Sequence, residues 1–460
     1  MHEVAVRIPI NYVDSIVADA LGLQPLPVNK TDLVLAPYVT INNRVHAPTS
    51  DFLRHHVLRN PNTSTARRIA NDLATWVRFL INECNMTPFE DARDPVLAAT
   101  EEHFARYYRQ RQYGAQENML TPDAWRHAAS SIKRLYEFTA SRYHHRAPFD
   151  IIRFTHRQTG ASGTTIAGYK PRRTRTGSAG QPITPHFAQQ LLMGALRVDI
   201  DGNQEHYRGA DRDHAIISLG LGTGLRRHNL ANITTYEIPP TSDLDITILG
   251  VANRVTKNDA GGDAFVLTHR LRPVHDYMDG RRLEIASQTS FAPSQPLHIE
   301  EATRKKVTYR EPGGERVTRL WTNMDENDRH RLVNSDDSSP LVFLNEYHGK
   351  PLSYSGFQKC VTKAAAFARE RINPDFPEGF RLHDLRHTYA VHMTMIVYRG
   401  VLAENIVRNG IETWTVDHIS GAVELVQGSL GHASEASTRL YIQAAHRFLP
   451  IPIEEFLGRN

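Results

Sequence analysis

The chain has 460 residues, of which 40% are apolar and 23% charged, the profile of a soluble globular protein long enough for two or three cores. No apolar run approaches the ~20 residues that span a bilayer, and the N-terminus has neither a basic start nor an apolar signal core, so an integral membrane protein and a secreted one are disfavoured and a cytoplasmic location is expected. Two cysteines, Cys84 and Cys360, fall in different predicted domains and suit thiols rather than a disulfide framework, and a net charge of only +4 is weak evidence for a nucleic-acid partner.

Residues 1–45 alternate short apolar runs with Pro25, Pro27 and Pro37, a pattern open between an extended arm and a small accessory domain. From Thr49 to about Arg146 the pattern is helical. Asn62, Thr63 and Ser64 offer caps before Ile69, Leu73, Trp76, Val77, Leu80 and Ile81, an apolar stripe at helical spacing, with Arg67, Arg68 and Arg78 off it. A second helix spans Glu101 to Arg111, and a third opens at Thr121 with Pro122 in its first turn. Positions 46–152 thus predict a small helical bundle. The next stretch, 153–182, is rich in Gly, Ser, Thr and Arg and reads as a basic linker, in which Lys170, Arg172, Arg173 and Arg175 suit a phosphate backbone.

Ile183-Thr184-Pro185 opens a further domain, 183–460, with a capped helix. An apolar helix then runs into Thr223-Gly-Leu-Arg226. Asp245 to Ala252 and Ala264 to Thr268 read as short strands, with Lys257 just before a Gly-containing turn. Two long segments, near 288–339 and 395–422, contain no motif that assigns them a role.

The densest chemistry lies between Arg381 and Tyr441. It opens with Arg-Leu-His383-Asp-Leu-Arg386-His and closes with Leu430-Gly-His432 and, nine residues on, Tyr441. A guanidinium fork suits the non-bridging oxygens of a phosphate, and histidine can hold or pass a proton near neutral pH. A tyrosine beside such groups can act as a covalent nucleophile. One other pattern competes: His383-Asp-Leu-Arg-His387 is one residue from the His-Glu-x-x-His zinc helix, but aspartate is a methylene shorter and the arginine beside the second histidine opposes a dication.

In order and spacing these boxes resemble the tyrosine recombinase (phage integrase) family. Its signature is His-x-x-Arg followed by Leu-Gly-His and a tyrosine, after an earlier Thr-Gly-Leu-Arg box that Arg226 supplies here. The resemblance implies a multidomain chain, with a helical SAM-like core-binding domain that clamps DNA and a mixed α+β catalytic domain. It further implies that Arg226, Arg386 and His432 hold the scissile phosphate, that His383 takes the proton of Tyr441, and that Lys257 protonates the leaving 5′ oxygen. No metal and no other cofactor is implied. The partner would be double-stranded DNA bearing specific sites, with a homo-tetramer on DNA, a monomer or dimer when free, and a nucleoid-associated place in the cytoplasm. Asn229 departs from the family, which places an acidic residue there. The tail Ile451-Pro-Ile-Glu-Glu-Phe-Leu is open between docking on a neighbouring protomer, as is common in the family, and folding back on its own domain. A protein of this fold that binds DNA without cleaving it, and a type IB topoisomerase, are the alternatives.

Overall fold

A computed structural model of the chain describes residues 2–7, 36–60, 63–87, 94–155, 162–172, 180–252, 262–288, 291–409, 426, 444 and 446–459. The chain divides into two compact units, Met1–Gly177 and Ser178–Asn460.

The first unit is built on helices α1 (Ala47–Arg59), α2 (Thr63–Asn82), α3 (Glu101–Tyr113) and α4 (Pro122–Tyr143). The stripe expected on α2 is buried: Ile69, Leu73, Trp76, Val77, Leu80 and Ile81 all face the core. Thr121 caps α4 by accepting a hydrogen bond from Ala124 N at 3.2 Å, and Pro122 occupies the first turn, where its missing N–H costs nothing. Inside the bundle the Trp76 indole donates to Tyr136 Oη at 3.2 Å, and that hydroxyl donates to the Val96 carbonyl at 2.9 Å. Both polar groups of a ring-filled core are thereby satisfied.

The ends of this unit are more ordered than composition suggested. Strands β1 (Val4–Arg7), β2 (Tyr38–Ile41) and β3 (Arg44–Val45) form an antiparallel sheet in the order β1-β2-β3. Val4, Val39 and Ile41 join the helical core, so the described part of the N-terminal segment belongs to this unit. Residues read as linker from 153 onward begin inside a hairpin, β4 (Ile151–Thr155) with β5 (Ser162–Ile166). Ile166 and Tyr169 tie that hairpin down: Ile166 is buried in the core, and the Tyr169 ring lies 4.9 Å from Phe104 while its carbonyl accepts from the Trp125 indole at 3.0 Å. Two apolar side chains in a Gly- and Thr-rich stretch are enough to fold it onto the bundle.

The second unit is mixed α+β. Helices α5 (Pro185–Leu196) and α6 (Ala210–Thr223), the short α7 (Arg227–Asn232), α11 (Tyr354–Phe367) and the start of the long α12 (Leu382–Asn409) enclose its main core. Between them lie the antiparallel hairpin of β6 (Ile246–Val251) and β7 (Gly262–Leu267), then α8 (Arg272–Asp279) and α9 (Arg281–Gln288). The segment near 288–339 is a folded accessory sheet. Strands β8 (Leu297–Ala302), β9 (Lys306–Arg310), β10 (Arg316–Leu320) and β11 (Leu332–Val333) run in the order β10-β9-β8-β11, with α10 (Glu326–Arg331) connecting β10 to β11 along the chain. It closes over its own small core of Leu297, Val307, Tyr309, Trp321, Met324 and Leu332. Arg329 on α10 anchors it, with both terminal nitrogens on the Glu237 carboxylate at 2.7 and 2.9 Å. The helix α13 (Ile453–Leu457) buries Phe456 beside Val391, Met395 and Phe448. The C-terminal tail therefore folds back on its own domain.

Candidate active site

The apolar helix α6 is all but completely buried, and its glycines are what let it sit where it does. A Cβ on Gly220 would stand 2.7 Å from the Leu385 Cδ1 atom, so at that turn the helix lies directly against α12. Gly224 ends the helix with φ +61°, the left-handed conformation that glycine adopts without strain. Its carbonyl is thereby presented to Arg386 on α12, whose Nη1 donates to it at 2.8 Å. Two residues further on, Arg226 is the residue that precedes the first turn of α7. The Thr-Gly-Leu-Arg box and the His-x-x-Arg box are thus joined through one backbone oxygen.

Arg386 is only 4% exposed. His383, one turn earlier, is exposed as a residue, yet desolvation of its ring lowers its pKa below the usual 6.5, followed by the positive charge of Arg386. Arg226 adds to the lowering and the Asp384 carboxylate partly offsets it. Both guanidiniums therefore act on one imidazole, which is the neutral form at pH 7 and free to accept a proton.

Asp384 faces the other way. Its carboxylate accepts from Arg381 N at 2.8 Å, closing the start of α12, and from Gln181 N at 3.1 Å. Thr388 and His392 continue that stitching at the i+4 spacing of one helix face, accepting from Ile183 N at 3.2 Å and donating to the Ile183 carbonyl at 2.9 Å. Asp384 is thus a structural residue that fastens the start of α12 to the segment leading into α5. His387 stands with its ring centroid 4.5 Å from that of His383, and burial, then its neighbour's charge, takes its pKa down to about 4. Among the described residues no group of three His, Cys, Asp or Glu is arranged to hold a metal ion, so the zinc-helix pattern has no third ligand there.

Arg227 and His228 acquire a purpose that their sequence did not show. Arg227 lies over the Tyr354 ring at 5.6 Å, and the Tyr354 hydroxyl lies 2.7 Å from both His228 Nδ1 and Glu326 Oε1. Asn232 Nδ2 donates to the same hydroxyl at 3.0 Å. Burial, then the hydrogen bond to Glu326, raises the Tyr354 pKa, which makes this tyrosine a poor nucleophile and a good clamp. The cluster ties α7, which follows Arg226, to α11 and to the accessory helix α10. Nothing in the spacing of residues 228, 326 and 354 announces such a contact. Asn229 is buried in α7.

Of the expected site residues, Arg226, His383 and Arg386 are thus brought together, whereas Lys257, His432 and Tyr441 lie outside the described residues. Arg67 and Arg68 sit exposed on α2, and Lys170 and Arg172 are exposed near the end of the first unit. The Lys170 carbonyl accepts from the Tyr108 hydroxyl at 2.7 Å, and Arg172 N donates to Gln112 Oε1 at 2.8 Å, so their backbone is fixed and their side chains reach solvent. Arg173 and Arg175 lie outside the described residues.

No family profile matches the chain and no curated protein matches it. Among solved structures the chain is similar to XerH site-specific recombinase bound to difH substrate, with 13% identity and a TM-score of 0.46 over 89% of this chain and 86% of that one. A Tn1549 transposon integrase in complex with a circular intermediate DNA gives 13% identity and a TM-score of 0.47 over 87% and 98%. A lambda integrase dimer bound to a core site gives 10% identity and 0.45 over 85% and 94%. All three are tyrosine recombinases, the family whose boxes the sequence resembles.

Proposed function

We propose that the chain is a tyrosine-type site-specific recombinase or integrase that cuts and rejoins double-stranded DNA through a phosphodiester link to Tyr441. The observation that carries this reading is the junction of the two arginine boxes. Arg386 holds the Gly224 carbonyl at 2.8 Å, and both Arg386 and Arg226 act on the ring of His383. Two guanidiniums beside one neutral imidazole form a phosphate cradle with a proton acceptor at its edge.

In the proposed reaction Arg226 and Arg386, joined by His432, bind the non-bridging oxygens of the scissile phosphate and stabilise the charge that grows on them. His383 takes the phenolic proton as the Tyr441 oxygen attacks phosphorus. The bond from phosphorus to the 5′ oxygen breaks, and that oxygen leaves as a hydroxyl with a proton from Lys257. A 3′-phosphotyrosine remains. Attack on it by a 5′ hydroxyl of another duplex reverses every bond change, so strands are exchanged without a metal or a nucleotide. Arg67, Arg68, Lys170, Arg172, Arg173 and Arg175 supply phosphate contacts on the first unit and its connection, and a tetramer on DNA pairs the sites. The place of action is the cytoplasm, at the nucleoid.

The test is a nicked duplex that traps the cleaved strand, offered as a pool of sequences flanking the gene and resolved on a denaturing gel. A covalent adduct that forms with chelator present and vanishes in Tyr441→Phe is expected. No adduct on any duplex that the protein demonstrably binds would sink this reading in favour of a DNA-binding protein that does not cut. Relaxation of supercoiled DNA lacking a specific site would point to a type IB topoisomerase.

A further inference from the structure

A cavity of about 790 Å³ opens between the start of α5, the middle of α6, the Thr268–Arg272 turn and the C-terminal helix α13. That volume falls within the range of roughly 300–1,000 Å³ usual for small-molecule sites. Arg226, His383 and Arg386 do not line it. Its wall carries two guanidiniums, Arg270 and Arg272, against one carboxylate, Glu455.

Arg270 is the group that the fold itself leaves unexplained. Its Nε is sealed from solvent and meets no hydrogen-bond acceptor. Burial takes its pKa down to about 10, with no carboxylate close enough to offset the loss. The residue is nevertheless held in place, because its carbonyl accepts from the Ser218 hydroxyl at 2.9 Å and its side-chain stem packs where a Cβ on Gly222 would lie. A half-buried guanidinium whose Nε is closed off from both water and any acceptor is disfavoured unless something compensates it. Beside it, His214 and His269 are kept neutral, by burial first and by the Arg270 charge second, and His269 Nε2 also has no partner. A neutral imidazole offers an N–H donor at one ring nitrogen. Two guanidinium forks and two such donors around one space match the oxygens of a tetrahedral dianion.

We propose that this cavity is a binding site for a small phosphate dianion, either free phosphate or the phosphate of a nucleoside monophosphate, held by Arg270 and Arg272 with His214 and His269 as neutral donors. The proposal does not depend on the strand-transfer reading. The far wall belongs to the C-terminal segment: Glu455 and Gly458 line the cavity, Phe456 lies 5.1 Å from His392, and Arg459 is paired with both carboxylate oxygens of Asp245 at 2.6 and 2.7 Å. Anion binding would therefore also steady that segment.

The experiment is phosphorus NMR of inorganic phosphate with the full chain at fixed ionic strength, comparing wild type with three variants. Wild type should broaden the phosphate line. Arg270→Gln should abolish the broadening, and since its stem packs against α6 and the change can affect folding, Gln189→Glu provides a second variant on an exposed wall residue. Placing a negative charge there, or losing one charge-assisted donor, should weaken binding by about tenfold or more. Glu455→Gln, which removes the one acid of the wall, should act in the opposite direction and tighten it. In a parallel arm, a nucleoside monophosphate that binds tighter than phosphate identifies a nucleotide as the source, and equal or weaker binding identifies free phosphate. No broadening with folded wild type, or the same broadening in all four proteins, overturns the site.

Discussion

At the scale of single residues, the site depends on where charge is allowed to rest. His383 is held neutral by desolvation and by the two arginines, so its folded pKa lies below 6.5. If it is the base for Tyr441, the rate of adduct formation should be flat through neutral pH and fall only as the ring protonates, below pH 6.5. His383→Gln should slow the step by about 10²–10⁴-fold and remove the acid limb. Single-turnover rates on the trapping duplex across pH measure both. In the proposed reaction Arg386→Lys keeps the charge but loses the fork that would hold the Gly224 carbonyl and a phosphate together, and a loss of about 10²–10³ in the same rate is expected. These two variants separate proton transfer from charge stabilisation, since only the first should change the shape of the pH profile.

At the scale of elements, the site is assembled by helix contacts that tolerate little extra volume. Gly220 lets α6 lie against Leu385 of α12, and that contact sets the Gly224 carbonyl opposite Arg386. Gly220→Val should cost about 1–3 kcal/mol of stability through overpacking, and it should lower adduct formation by moving the two boxes apart. Thermal unfolding and the gel assay check the two effects. The accessory sheet hangs on a different joint. Arg329 is 1% exposed and donates to the Asn232 and Trp321 carbonyls at 2.7 and 2.8 Å besides pairing with Glu237. Glu237→Ala leaves that guanidinium buried without its carboxylate, a change that typically costs about 3–5 kcal/mol. Hydrogen exchange should show β8 to β10 losing protection well before α5 and α6 do.

At the scale of the whole molecule, two separate cores imply two units able to fold alone. A fragment beginning at Ser178 keeps Arg226, Lys257, His383, Arg386, His432 and Tyr441. It should melt cooperatively and form the adduct more slowly than the full chain, because it lacks the cationic side chains of the first unit. Its stability should also carry a signature of its histidines. His214 and His387 are depressed to about 4, and His269 and His392 to about 3, from an ordinary 6.5. The unfolded chain therefore takes up protons first as the solution is acidified. The stabilising contribution of neutral histidine is complete above pH 6.5 and is lost as pH falls from there toward 4. Circular dichroism melts of the fragment across that window should show the decline, and His387→Gln should show less of it.

Much of this protein is determined by local pattern, and for a physical reason. The apolar stripe of α2, the Thr121 and Pro122 start of α4, the Thr184 cap of α5 and the paired strands β6 and β7 follow from periodicity and turn chemistry within a few residues of each other. The boxes around Arg226, His383 and Arg386 stand out for a related reason, since the residue types that the proposed phosphate chemistry would need occur in a recognisable order, and the fold brings these three together. What no local pattern contains is contact between residues far apart in the chain. Arg386 meeting the Gly224 carbonyl, Tyr354 joining His228 to Glu326, the segment near 288–339 closing over its own core, and the Arg270 Nε left without an acceptor are each decided by packing. A buried polar group takes whichever partner the assembled fold brings within about 3 Å, and that partner is a property of the tertiary structure alone.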